Sequence, residues 1–451
     1  MEMAEVIVIG AGVVGTAIAR ELARHNHQVT VIEKNLDVGE GTSKANTAIL
    51  HTGFDAKPGT LESKLVSKGY FLLRAHAKET GIAVEETGAL LVAWSKEEFD
   101  SFPELIEKSR ANGYQAIREV SRDELYKLEP NLGAGALGAL LIEDEFVIDP
   151  WSTTLSYALQ AESLGARFIL GEEVTGLIRN GSRFLVTVGA DRYEADWVVN
   201  VAGLYADRID SYLSIKDFTV TPRKGELIVF DKLSRNLISH IILPVPSKVG
   251  KGVLVSPTVF GNLMLGPTAQ DQVDKEDREN TYSGFEFLKS KVARILPNLI
   301  AEEVTATYAG LRAATESADY QIRRHENYLT VGGIRSTGLT ASIAIAEYLF
   351  ELAPELNDNP RALPPIMMAP LGEKQKRPFQ DEAKIASNSE YGKVICFCEK
   401  VTYGEVDDAL DSPLPPKSLS ALARRTRAGL GRCQGFYCYQ SLIERTGIRD
   451  A

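Results

Sequence analysis

Apolar residues run unbroken from Val6 to Ile9 and return at Val29, Val31 and Ile32, while the stretch between them repeats apolar positions at helical spacing, Val14, Ile18 and Leu22. A short continuous apolar run suits a strand covered on both faces, and a three-to-four-residue repeat suits a helix with one buried side. The pattern predicts a strand over 5–9, a helix over 13–23 and a strand over 27–33, one strand-helix-strand unit of a doubly wound sheet. It resumes at 197–201, a strand running into Ala202-Gly203, and at 328–331, a strand running into Gly332-Gly333.

Other stretches differ. Residues 85–145 and 216–300 mix short β-rich pieces (89–93, 226–230 and 263–266) with polar helical ones, as an antiparallel domain inserted twice would. Six of the 19 prolines fall between 354 and 378, where apolar periodicity is lost, so this segment reads as a connector. The expected fold class is α/β plus α+β. A Rossmann-like dinucleotide-binding domain (1–84, 146–215 and 301–353) carries an inserted antiparallel substrate domain (85–145 and 216–300). A proline-rich connector (354–392) leads to a small helical four-cysteine domain (393–451).

The chain has 451 residues with 50 Lys plus Arg against 61 Asp plus Glu, a net charge of −11 with dispersed basic residues, which argues against a nucleic-acid partner. No apolar run approaches the roughly 18 residues that would cross a bilayer, so membrane contact is expected to be peripheral at most, through a partner. The amino end, Met1-Glu2-Met3-Ala4-Glu5, is acidic where a secretory signal would be basic, and the expected location is the cytoplasm. Four cysteines, all in the last 56 residues, suggest a metal site rather than a disulfide scaffold.

Gly10-Ala11-Gly12-Val13-Val14-Gly15 is a G-x-G-x-x-G between the first strand and the first helix. Its first glycine permits the tight turn, Gly12 lets a pyrophosphate approach the backbone, and Gly15 lets helix and strand pack closely. Glu33, 18 residues after Gly15, is placed to accept from the adenosine ribose hydroxyls and would repel a 2′-phosphate, which disfavours NADP. These residues do not separate FAD from NAD.

The following loop does. Gly41-Thr42-Ser43-Lys44-Ala45-Asn46-Thr47-Ala48-Ile49-Leu50-His51-Thr52-Gly53 resembles the corresponding segment of the D-amino-acid-oxidase superfamily of flavoproteins. The run 46–64 is similar to the glycerol-3-phosphate oxidase/dehydrogenase and L-2-hydroxyglutarate oxidase branches. The stretches 200–207 and 332–340 match that family's flavin-contacting elements, and the resemblance spans about residues 5 to 350. It implies FAD contacts at Thr42, Ser43, Asn46, Val174, Ala202, Gly203, Gly333, Gly338, Leu339 and Thr340. The helix after Gly338 would aim its N-terminus at the negative charge of a reduced flavin.

A dehydrogenase of this kind removes a hydroxyl proton while hydride leaves the same carbon. His51, one of only six histidines, reads as either the base or a flavin contact from the residues themselves, and the resemblance favours the base. Tyr308-Ala309-Gly310-Leu311-Arg312 matches the family's A-G-x-R element, which makes Arg312 the anchor for a phosphate or carboxylate. Family position also places Arg335 and Ser336 near the substrate or flavin edge; Arg223 and Lys224 are weaker candidates. The implied substrate is a small anionic 2-hydroxy compound, first sn-glycerol 3-phosphate and next L-2-hydroxyglutarate. A subunit of an amino-acid or opine dehydrogenase is a further alternative.

Cys396-Phe397-Cys398 and, after 34 intervening residues, Cys433 and Cys438 form C-x-C and C-x4-C pairs whose spacing alone suits zinc or a [2Fe–2S] cluster. Thr402 to Glu405 is a capping box opening one helix, and 418–427 reads as a second. Arg424, Arg425, Arg427 and Arg432 would stabilise a dianionic cluster or else form one solvated helix face, and charge alone does not decide between the two. The run 423–438 resembles the bacterioferritin-associated-ferredoxin-like domain of anaerobic glycerol-3-phosphate dehydrogenase large subunits, which implies [2Fe–2S] ligation and an electron-accepting flavoprotein or iron–sulfur partner. A zinc-stabilised docking or redox-sensing module is the other reading.

Overall fold

The computed structural model describes residues 3–246 and 252–449. The strand Glu5–Ile9 forms, as its apolar run requires, at the centre of a six-stranded sheet. In spatial order the strands are Gln321–His325, Tyr328–Gly332, Trp197–Asn200, Glu5–Ile9, Gln28–Glu33 and Arg167–Leu170. All neighbours are parallel except the edge pair Gln321–His325 and Tyr328–Gly332. Val8 registers with Val31 on one side and Val199 on the other, and all three are fully buried. The helices Val13–Arg24, Leu61–Thr80, Pro150–Ser163 and Gly338–Leu352 pack together on one face, and the antiparallel meander 174–195 covers the other.

The second sheet has nine strands and its own core of Leu90, Val92, Val255, Leu263 and Leu265. It is antiparallel except where Ile241–Pro244 runs parallel to Ala89–Ala93. The sequence pattern puts residues from 301 onward in the dinucleotide-binding domain, whereas Val304–Ala314 pairs along its length with Thr221–Phe230 in this second sheet. Local periodicity identifies a strand without naming its partner, so the boundary lies after Ala314.

The segment 354–392 is strapped across both units rather than hanging between them. The Arg361 N–H bonds to Arg24, that of Met368 to Thr80, and that of Glu373 to Val259. Beyond it, a two-stranded ribbon and the helices Tyr403–Leu410, Leu419–Thr426 and Tyr439–Thr446 build the cysteine module around Ile395, Val401, Val406 and Leu422. The expected capping box at Thr402 and Glu405 is formed. No helix among the described residues is long and apolar enough to cross a membrane.

Candidate functional site

A cavity of about 1140 Å³ runs from the glycine turn, along the loop 41–51, to the inner face of the second sheet. That volume exceeds the usual range for a single drug-sized ligand and suits an extended dinucleotide together with a small substrate. Gly10, at φ +111°, makes the turn; a Cβ there would stand 2.6 Å from the Val201 carbonyl oxygen. A Cβ on Gly15 would lie 2.0 Å from the Gly10 oxygen, so helix and strand meet at a distance only glycine allows. Gly12 faces the cavity, its missing side chain leaving the backbone open to a ligand beside Ser43. The Ser43 hydroxyl accepts from the Val13 N–H at 2.9 Å, tying the loop to the first turn of the helix.

Glu33 ends its strand at the cavity wall, with one oxygen 2.8 Å from the Ala11 N–H and the other on the Asn35 N–H at 3.0 Å. Its carboxylate thus braces the glycine turn as well as facing the space a ribose would occupy. Thr42 donates to the Leu311 carbonyl at 2.8 Å, which joins the loop to the second sheet. Asn46 shapes the loop through the Ser43 carbonyl and the Ala48 N–H. Val174, Ala202, Gly203, Gly333, Gly338 and Leu339 line the same cavity. Thr340 does not: its buried hydroxyl accepts from the His51 N–H at 2.9 Å and so seats the histidine loop.

His51 lies at the far end of the cavity between two carboxylates. Its Nδ1 is 2.9 Å from Glu145 Oε1 and its Nε2 is 3.1 Å from Asp55 Oδ1. Glu145 also takes the Thr52 N–H and hydroxyl, each at 2.7 Å. Neither carboxylate stands out among the sequence motifs. Asp55 follows His51 by four residues in the same loop, and Glu145 is the last of three consecutive acids, Glu143-Asp144-Glu145, between the strands 138–142 and 146–148.

Arg312 projects from Val304–Ala314 into the cavity. Among the described residues no carboxylate pairs with its guanidinium, whose one hydrogen bond is a 3.5 Å contact to the Thr268 carbonyl. Burial, with Arg223 alongside, lowers its pKa to about 10, so it stays cationic at neutral pH. A half-buried cation with no carboxylate partner favours an anionic ligand. Ser336 is exposed on the cavity wall. Arg335 spends one N–H on the Ala318 carbonyl and lies 3.8 Å from Glu62. Of the weaker candidates, Arg223 lines the cavity beside Arg312 with its guanidinium on both oxygens of Asp271, whereas Lys224, 2.8 Å from Asp277, is not among the lining residues.

The four thiols carry no disulfide. Cys398 neighbours Cys433 and Cys396 neighbours Cys438, and the Phe436 N–H donates to the Cys433 carbonyl in the turn between Cys433 and Cys438. Among the described residues, no group of three or more His, Cys, Asp or Glu side chains is arranged to hold a metal ion. The expected arginine shell is also different. Arg424 and Arg425 pair with Asp37 and Glu40 of the first domain, Arg427 with Glu399, and Arg432 with Asp231 and Glu303. Nearby carboxylates claim these guanidiniums, which charge composition alone could not foresee.

A family model described as FAD dependent oxidoreductase matches residues 5–352. A glycerol 3-phosphate dehydrogenase of Caloramator mitchellensis is 36% identical over 98% of this chain and 93% of its own length. One subunit of the anaerobic glycerol-3-phosphate dehydrogenase of Escherichia coli is 24% identical over 97% of this chain and 86% of its own. The solved structure of dithionite-reduced L-α-glycerophosphate oxidase from Mycoplasma pneumoniae with FAD bound superposes with a TM-score of 0.75 at 30% identity, covering 81% of this chain and 97% of that one.

Proposed function

The chain belongs to the FAD-dependent oxidoreductase family, and on that premise we propose that it oxidises sn-glycerol 3-phosphate to dihydroxyacetone phosphate. The observation that carries this reading is the unpaired Arg312 guanidinium facing the same cavity as His51. FAD, when bound, supplies the two-electron acceptor for the hydride. The glycine turn and the N-terminus of Val13–Arg24 would hold its pyrophosphate, Glu33 its ribose, and the loop from Thr42 to Asn46 its flank.

Arg312 holds the phosphate in a fork of two N–H donors and fixes the carbinol carbon relative to His51. His51 takes the hydroxyl proton as the hydride leaves the same carbon, so the C–O bond becomes a carbonyl with no net loss of atoms other than those two hydrogens. Glu145 and Asp55 stand where positive charge appears on the imidazole after the transfer. Ser336 serves the substrate edge of the site. The decisive assay compares sn-glycerol 3-phosphate, L-2-hydroxyglutarate and a secondary amine with an artificial acceptor under anaerobic conditions. Turnover of the first alone is expected, and inactivity on it overturns the reading.

For the cysteine module the proposal is a [2Fe–2S] cluster on Cys396, Cys398, Cys433 and Cys438, serving an electron-accepting flavoprotein or iron–sulfur partner. The donor chemistry supports it, with four thiols free of disulfides, Cys398 beside Cys433 and Cys396 beside Cys438, in one small module. A relative that is one component of a multi-subunit enzyme supports the partner. Anaerobically purified protein should contain iron and acid-labile sulfide; zinc without sulfide overturns this part alone.

A further inference from the structure

Between the strand Gln28–Glu33 and the cofactor loop the chain makes an acidic turn. Its two carboxylates, Asp37 and Glu40, point away from the cavity and into the cysteine module. Asp37 is buried, and both its oxygens meet Arg425, at 2.6 and 2.7 Å. Arg424 bridges the two acids, 2.6 Å from Asp37 and 2.7 Å from Glu40, and Lys44 closes on Glu40 from the cofactor loop at 2.7 Å. Burial works against the charge on Asp37, yet Arg425 and Arg424 outweigh it and hold the carboxyl below the usual carboxylate range.

The turn is wired to the glycine motif. The Gly39 N–H, between the two acids, donates to the Ala11 carbonyl at 2.8 Å, and four residues on Ser43 accepts from Val13. A second line of contacts runs in parallel. Arg427 lies 4.2 Å over the Phe260 ring, Phe260 stacks on Trp151, and the Trp151 indole N–H donates to the Lys44 carbonyl. Buried ion pairs of this kind contribute little net stability but are costly to break from one side, so they fix geometry more than they add free energy.

We infer that Arg424 and Arg425 of the cysteine module are positioning residues for the FAD site: by clamping the turn 37–40 they hold Ala11 to Ser43 in the shape that receives the dinucleotide. Docking of the module and FAD affinity are then linked, and each strengthens the other by the same factor. The inference rests on FAD binding at the glycine turn and is independent of which alcohol is oxidised.

The test is titration of the deflavinated full-length protein with FAD, followed by flavin fluorescence, for wild type, R425A, D37N and the R425A/D37N pair. Each single variant should weaken FAD binding at least tenfold, and the pair should be no worse than the poorer single, because both remove one link. R425K keeps the charge without the two-pronged fork and should fall between, with melting close to wild type; it serves if R425A does not fold. Variants that fold and bind FAD within twofold of wild type overturn the inference. Wild-type protein that binds no FAD overturns the flavin reading itself.

Discussion

His51 Nδ1 stands 2.9 Å from Glu145 Oε1, and the carboxylate that holds the ring is itself 1% exposed and fixed by two further donors from Thr52. A carboxylate so restrained has little freedom to relax if the imidazole turns, so it sets the ring plane, with Nε2 directed toward Asp55 at the cavity wall. E145Q keeps the shape and removes the charge. It should lower kcat about tenfold or more with KM for glycerol 3-phosphate changed less than about threefold, and with FAD content unaltered. H51Q should lose about 10² to 10⁴ in kcat, the usual contribution of a positioned acid–base group. Steady-state kinetics on the two variants checks both, and an E145Q rate equal to wild type removes Glu145 from the mechanism.

Arg312 offers the complementary signature in KM. Charge-assisted hydrogen bonds contribute about 1.5–3 kcal/mol each, so loss of the two-donor fork in R312A should cost about 150-fold or more in kcat/KM for glycerol 3-phosphate. Turnover of unphosphorylated glycerol should barely change, because no anion is lost from that complex. Gly225 gives an independent probe: a Cβ there would lie 2.8 Å from the Arg312 guanidinium, so G225A should displace the anchor and raise KM in the same direction. Equal losses on both substrates in R312A would place the arginine outside phosphate recognition.

Much of this arrangement is written in short-range pattern. The apolar run 6–9, the helical repeat after Gly12 and the placement of Glu33 specify the cofactor-binding unit, because each is a property of a few consecutive residues. The partners of those residues are another matter. Val304–Ala314 reads as a strand, yet its pairing with Thr221–Phe230 brings together segments some 80 positions apart. Arg424 and Arg425 read as a basic helix face suited to any anion, and only the fold brings Asp37 to them. Glu145 escapes notice for the same reason, since its ligand, His51, lies 94 residues away.

A different titration affects the fold rather than the chemistry. His76 is buried against Ser156 and Arg20, and burial, reinforced by the Arg20 charge, lowers its pKa to about 3. In the unfolded chain a histidine titrates near 6.5. Below about pH 6.5 the unfolded chain therefore takes up a proton that the folded one refuses, and stability falls as pH drops from there toward 3. The slope is at most about 1.4 kcal/mol per pH unit. Denaturant unfolding at pH 7 and pH 5 should show H76Q losing about 2 kcal/mol less than wild type across that interval. An unchanged difference would mean that other groups govern the acid limb.

Two glycines of one motif should fail in different ways. Gly10 has a positive φ of +111° and a Cβ there would meet the Val201 carbonyl at 2.6 Å, so an alanine strains the turn and pushes adjacent strands apart. Strain at such a backbone position costs about 1–3 kcal/mol before the steric contact is counted. Gly12, by contrast, has φ −68°, which any residue adopts, and its added Cβ would meet only the Ser43 hydroxyl, at 3.2 Å. An alanine at position 12 fits the protein and obstructs the dinucleotide. G10A should melt several degrees lower even without flavin, whereas G12A should melt like wild type when both are flavin-free and lose its affinity for FAD by about 100-fold or more. Thermal melts of deflavinated protein, paired with FAD titration, separate the two. A G12A protein that binds FAD normally would show that the pyrophosphate does not lie against this turn.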